Sequence, residues 1–173
     1  IKYHRLEWSV DPAEKYIEGM VTTYFVPKES MEDIYFDLKS NMIVREVLHR
    51  GEAMSYGFEG DDLLRIQLNA SLPEGTMDSI SITYEGIPSA EGFGSFETSS
   101  HRGVPVLWTL SEPYGARDWW PCKQSLNDKI DSIDIFVTTP EQYKAGTNGL
   151  LVGEETIDGL TTYHWKHRYA IPA

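Results

Sequence analysis

Residues 3–10 alternate in polarity, with His4, Leu6, Trp8 and Val10 on one side of an extended chain and Tyr3, Arg5, Glu7 and Ser9 on the other. A period of two marks a half-buried strand, because successive Cβ atoms point to opposite faces. Asp11-Pro12-Ala13-Glu14 interrupts the run as a turn, and Ile17, Gly19, Val21, Thr23 and Phe25 then share a face up to Pro27. Ile34, Phe36 and Leu38 continue the pattern, and a mixed run from Met42 to Leu48 leads into a Gly- and acid-rich segment, 51–62, that reads as a loop. Leu64, Ile66 and Leu68 alternate with Arg65, Gln67 and Asn69. Past the Pro73-Glu74-Gly75 turn, Ile80, Ile82 and Tyr84 alternate with Ser79, Ser81 and Thr83. From Gly86 to Gly103 the chain is Gly, Ser, Glu and Pro with isolated phenylalanines, which predicts a long loop; loops of that length in compact domains usually carry function or move.

Ile133, Ile135 and Val137 form a further strand closed by Thr139-Pro140. Asn148-Gly149 marks a turn before Leu150 to Val152, and Asp158-Gly159 is a hairpin signal joining Glu154–Ile157 to Leu160–His167. No window of about 11 residues or more shows a 3.6-residue period. The prediction is an all-β domain of about ten or more short, mostly antiparallel strands in two or more packed sheets, sandwich-like in class.

Composition narrows the function more than the fold. The 173 residues suit one domain with a sizeable core. No apolar run reaches the roughly 20 residues that a membrane helix needs. The net charge is −12, and the basic residues are scattered among more numerous acids, which argues against a nucleic-acid backbone or an anionic membrane as partner. The single cysteine, Cys122, excludes an internal disulfide and a cysteine-based zinc site, and leaves the compartment open. Both ends, Ile1 and Ala173, look like cuts within a longer chain.

The usual catalytic constellations are missing. None of the five histidines is followed by Glu, so there is no His-Glu-x-x-His. The one close pair, His164 and His167, is expected to point to opposite strand faces, as exposed hairpin residues. No Gly-x-Ser-x-Gly elbow exists, Ser99-Ser100-His101 sits in a polar loop, and Gly92-Phe93-Gly94 is too short to cradle a phosphate. Asp131 and Asp134 are at odd spacing and so face apart.

The one specific stretch is Leu107 to Cys122, which holds Trp108, Trp119 and Trp120 and the cysteine beside Glu-Pro and Gly-Ala-Arg. Large aromatics among Gly, Pro and lone charges predict an irregular segment held by packing. All three tryptophans are expected in the core, Cys122 as a buried small hydrophobe, and Arg117 as an anchor that pairs a carboxylate or caps carbonyls.

The run Ser111-Glu112-Pro113-Tyr114-Gly115-Ala116-Arg117-Asp118-Trp119-Trp120-Pro121-Cys122, followed by Lys129, resembles the signature near the end of the N-terminal domain of the M1 family of zinc aminopeptidases, the family of aminopeptidase N and leukotriene A4 hydrolase. Leu6 to Asp11 and Gly19-Met20-Val21 resemble its opening strands, Ile80 to Gly86 its Tyr-x-Gly strand end, and Asp134 to Pro140, Asn148-Gly149 and His164-Trp165-Lys166 its closing strands. The resemblance covers essentially all of residues 1–173. It implies a saddle-shaped multi-sheet β domain, the first unit of a larger peptide-cleaving enzyme, packed on a downstream catalytic domain that carries the zinc, the general base and the exopeptidase motif. This stretch alone would be inert and hold no metal.

The resemblance also implies one site. In the family a loop of this domain reaches the active site with a Gln and, two residues later, a Glu or Gln that helps bind the substrate's free α-amino group. Those positions fall on Leu110 and Glu112. A carboxylate suits an ammonium in a water-poor cleft and disfavours acylated termini. Leu110 departs from the pattern, since leucine offers no hydrogen bond to a peptide, and Gln124 and Leu126 depart where many members have Asp and Pro. The alternative, from another class, is a stand-alone module binding glycans or proteins through Tyr114, Phe93 and Phe96, which predicts a contiguous exposed aromatic patch. Lone acidic loop residues are also commonly just solvated.

Overall fold

The computed structural model describes residues 1–89, 94–125, 127–169 and 171–172. Strands dominate: β1 (Tyr3–Ser9), β2 (Ile17–Phe25), β3 (Met31–Asp37), β4 (Ile43–His49), β5 (Glu52–Ala53), β6 (Ser55–Glu59), β7 (Leu63–Leu72), β8 (Asp78–Gly86), β9 (Phe96–His101), β10 (Val104–Thr109), β11 (Lys129–Ile130), β12 (Ser132–Pro140), β13 (Leu150–Ile157), β14 (Leu160–His167) and β15 (Ile171–Pro172). Among the described residues the one helical turn is a 3₁₀ turn, Ala116–Asp118. An eight-stranded sheet runs β13-β14-β12-β1-β2-β8-β4-β5, beside a three-stranded sheet β3-β7-β6 and two-stranded pairs β10-β9 and β11-β15. Pairing is antiparallel throughout except where β1 lies parallel to β12, with Leu6 opposite Ile135. That junction joins the N-terminal strands to the C-terminal hairpin inside one sheet.

Register explains the burial. Trp165, Ile135, Leu6, Val21, Ile82 and Val47 follow one another across six adjacent strands. In a pleated sheet that row shares a face. Five of the six are buried and Trp165 packs against them. Ile34 and Phe36 of β3 and Leu64 and Ile66 of β7 belong to the same hydrophobic cluster, so the two sheets close over a single core. The other face of the large sheet is polar: Arg5 lies with its guanidinium carbon 4.0 Å from the centre of the Phe136 ring, which stacks on His164 at 4.1 Å.

Three expectations are corrected. The segment 51–62 contains β5 and β6, and the second half of the expected 86–103 loop is β9, paired with β10 (Phe96 opposite Thr109). β6 buries none of its side chains and β9 only Phe96, so backbone pairing holds them and no polar alternation is needed to mark them. The turns that join β4 to β5 and β9 to β10 were hidden for a related reason. Arg50-Gly51 and Arg102-Gly103 take the same left-handed pair of conformations as Asp158-Gly159, with φ of 55° and 84°, 53° and 81°, and 51° and 80°. Only Asp-Gly advertises that two-residue turn, because arginine is uncommon at positive φ. His167, expected to be exposed, is buried: its strand neighbour is Ile133, on the core side, while His164 faces the other way and pairs with Asp134 at 2.6 Å.

Candidate functional site

The stretch 107–124 divides into a buried post and an exposed loop. Trp119 stacks obliquely on Trp8 at 4.7 Å and meets Phe96 at 6.0 Å and Trp120 at 6.2 Å, while Trp120 also meets the edge of His4 at 5.6 Å. Tilted aromatic pairs at these separations add to the stabilisation from area burial. Asp118 is buried and accepts a hydrogen bond from the Ser95 hydroxyl, which gives its carboxylate a donor inside the post. Trp108 departs from expectation: it is 46% exposed. It belongs to a two-stranded ribbon in which the preceding Leu107 packs on the core. Trp108 instead lines a cavity of about 140 Å³ together with Trp8, Phe96 and Trp119.

The far end of the stretch is bolted to the end of β3. Asp37 and Cys122 exchange backbone hydrogen bonds of 2.8 and 3.0 Å, and the Asp37 carboxylate accepts the Gln124 N–H at 2.9 Å. Arg117 pairs with Asp62 at 3.1 Å and its carbonyl accepts the Lys39 N–H at 2.9 Å, the anchoring role expected for it. Cys122 is fully buried, and burial, helped by nearby Asp37, pushes its thiol well above the ordinary range. It is a small hydrophobe and not a nucleophile.

Between these supports runs the loop Leu110 to Gly115. The Leu110 N–H donates to the Ser95 carbonyl at 3.1 Å, and the Gly115 N–H returns to the Ser111 carbonyl at 2.8 Å. The Trp119 indole N–H donates to the Ser111 hydroxyl at 3.1 Å, and the Gln124 amide donates to the Tyr114 carbonyl. Gly115 is sterically required, because a Cβ there would stand 2.6 Å from the Ser95 hydroxyl oxygen. The Glu112–Pro113 bond is cis. The predicted site residues therefore stand together on one short, tethered loop: Leu110 is 45% exposed, and the Glu112 carboxylate is exposed with no hydrogen bond or ion pair among the described residues. Sequence reasoning missed Ser95, Ser111 and Asp118. Ser95 lay in a stretch read as featureless loop, and nothing in a lone Ser or Asp announces a buried partner.

Of the other candidates, the described residues hold no group of three His, Cys, Asp or Glu side chains placed to bind a metal. Asp131 pairs with Lys2 at 3.3 Å, whereas Asp134 pairs with His164 and Lys166, so the two aspartates share no partner. Phe96 is buried, Tyr114 is exposed, and Phe93 and Leu126 lie outside the described residues. No helix among the described residues is long and apolar enough to cross a membrane.

With the fold and loop in place, the comparisons define the class. Residues 1–173 match the Peptidase M1 N-terminal domain, and the chain belongs to that family. Its fold is shared with an M1 zinc metallopeptidase from Deinococcus radiodurans (TM-score 0.87, 23% identity, 99% of this chain and 39% of that one). A mutant of the Deinococcus radiodurans M1 zinc metallopeptidase bound to a Tyr-Ser-Ala substrate matches at TM-score 0.84 and 23% identity, over 99% of this chain and 40% of that one. Native yeast LTA4 hydrolase matches at TM-score 0.81 and 19% identity, over 99% of this chain and 27% of that one. The chain thus spans well under half the length of the structures it matches. Among curated proteins nothing matches it.

Proposed function

We propose that this domain is the N-terminal unit of a zinc-dependent aminopeptidase and that it supplies the loop that recognises the substrate's free α-amino group. The observation that carries the reading is the contrast at Glu112: an exposed carboxylate without a hydrogen-bond or ion-pair partner among the described residues, on a loop tied at Leu110, Ser111, Tyr114 and Gly115. Presented to a cleft formed with a following catalytic domain, it would meet the ammonium of a peptide in a short charge-assisted hydrogen bond. Leu110, two residues earlier, offers that cleft an apolar wall. Family membership and the Deinococcus radiodurans relative with a Tyr-Ser-Ala substrate support the reading. Zinc, the general base and bond cleavage belong to the catalytic domain, and the domain described here is inert by itself.

Two experiments test this. The parent gene downstream of Ala173 should encode a His-Glu-x-x-His followed by a further Glu, and its absence ends the proposal. In the full-length enzyme, Glu112→Ala should raise KM for peptides with a free amino terminus by roughly tenfold to 100-fold, the worth of a hydrogen bond to a charged group. Kinetics that do not change would remove Glu112 from the site. The rival reading, a stand-alone module with an aromatic binding face, loses one of its rings because Phe96 is in the core.

A further inference from the structure

We propose that Ser111 is a positioning residue for Glu112, acting through the Trp119 indole. This inference rests on the role assigned to Glu112 and adds the device that aims it. Both hydrogen-bonding ends of Ser111 are occupied: its hydroxyl accepts from Trp119 at 3.1 Å, and its carbonyl accepts from the Gly115 N–H at 2.8 Å. The donor on the first bond does not move. Trp119 is buried and its ring is wedged among Trp8, Phe96 and Trp120. A hydroxyl held at χ1 and a carbonyl held at ψ define the direction in which the chain leaves Ser111, and the next residue is Glu112. Glu112 itself makes no hydrogen bond or ion pair among the described residues that could orient it. Its aim is therefore inherited from Ser111, and Ser111 takes its aim from a side chain anchored in the hydrophobic core. Binding groups held in this way lose less freedom when the ligand arrives, so loosening them weakens binding more than it slows chemistry.

The test uses the full-length enzyme and a free-amino peptide substrate. Ser111→Ala should raise KM about fivefold, the worth of one neutral hydrogen bond, with kcat within about twofold. Ser111→Thr, which keeps the hydroxyl, should restore KM. Trp119→Phe, which keeps a ring but loses the N–H, should reproduce the Ser111→Ala increase. In a Glu112→Gln background, Ser111→Ala should add nothing, since its effect passes through the carboxylate. A merely structural Ser111 gives another pattern: Ser111→Ala lowers the melting temperature while KM stays put, or it multiplies KM equally in both backgrounds. Either result overturns the inference. If Glu112→Gln alone leaves KM unchanged, the Glu112 role fails and this inference goes with it. If Glu112→Gln raises KM and Ser111→Ala does not, only this inference fails.

Discussion

Two neighbouring pieces of one stretch, the aromatic post and the loop it carries, are built on opposite terms. In the post, Trp119, Trp120 and Phe96 are buried against one another and against Trp8, and Asp118 has found Ser95. In the loop, Leu110, Glu112 and Tyr114 face outward, and only the backbone and Ser111 are tied. Stability is concentrated in the first and potential recognition in the second. The separation lets the outward side chains vary at little cost to folding, while the loop that displays them keeps its shape.

If the contrast is real, mutations on its two sides should differ in size by several-fold. Trp119→Ala should cost about 3–5 kcal/mol, read from urea unfolding, because it empties the middle of the post. A cost below about 1 kcal/mol would mean that the post is not where the stability lies. Gly115→Ala, which forces a Cβ to within 2.6 Å of the Ser95 oxygen, should cost about 1–3 kcal/mol by the same measurement. Its effect marks the seam between the two regions.

Acid probes the post from another side. His4 is fully buried against Trp120, with Thr23 on its Nδ1 at 3.0 Å, and burial depresses its pKa from 6.5 to about 3. In that window the unfolded chain binds a proton that the folded chain refuses, so stability rises with pH and falls on acidification. The fall should be about 1 kcal/mol between pH 6.5 and about 5.5, and should flatten in His4→Leu. The carboxylates of Asp78, Asp128 and Asp134 are shifted down by His, Lys and Arg partners against the opposing effect of burial, so their contribution is lost only below their ordinary value of 3.8. A mid-range slope that survives His4→Leu would assign the effect elsewhere. At the small end, Tyr114→Ala on the loop should change stability by no more than about 0.5 kcal/mol.

The same division governs what could be read in advance. β1, β2, β7, β8, β12 and β14 showed themselves because their buried faces demand alternation, as in Ile80, Ile82 and Tyr84, while β13, which buries none of its residues, was marked by the Asp158-Gly159 turn. β6 and β9 did not, because exposed strands impose no such demand. Leu110 and Glu112 were singled out only through the family pattern around Pro121-Cys122, since a lone Leu and a lone Glu carry no local signal. Ser111 was invisible as a participant, because its partner lies eight residues further on and nothing in either residue type points to the other. Trp108 went the other way: its size suggested the core, and its place on a narrow ribbon left it half in solvent.

By itself the sequence determined the all-β class, the burial periodicity of the main strands, the turn at Asp158-Gly159, the anchoring chemistry of Arg117 and the burial of Cys122. These follow from properties local to a few residues: which face of a strand is greasy, which residues tolerate positive φ, and which groups cannot be left alone. Only the tertiary structure decided that β1 lies parallel to β12, that β3 and β7 close over the large sheet, that Asp118 meets Ser95, and that Trp119 reaches back to Ser111. Such pairings join residues by where the whole chain folds, and the chain folds to bury one shared core.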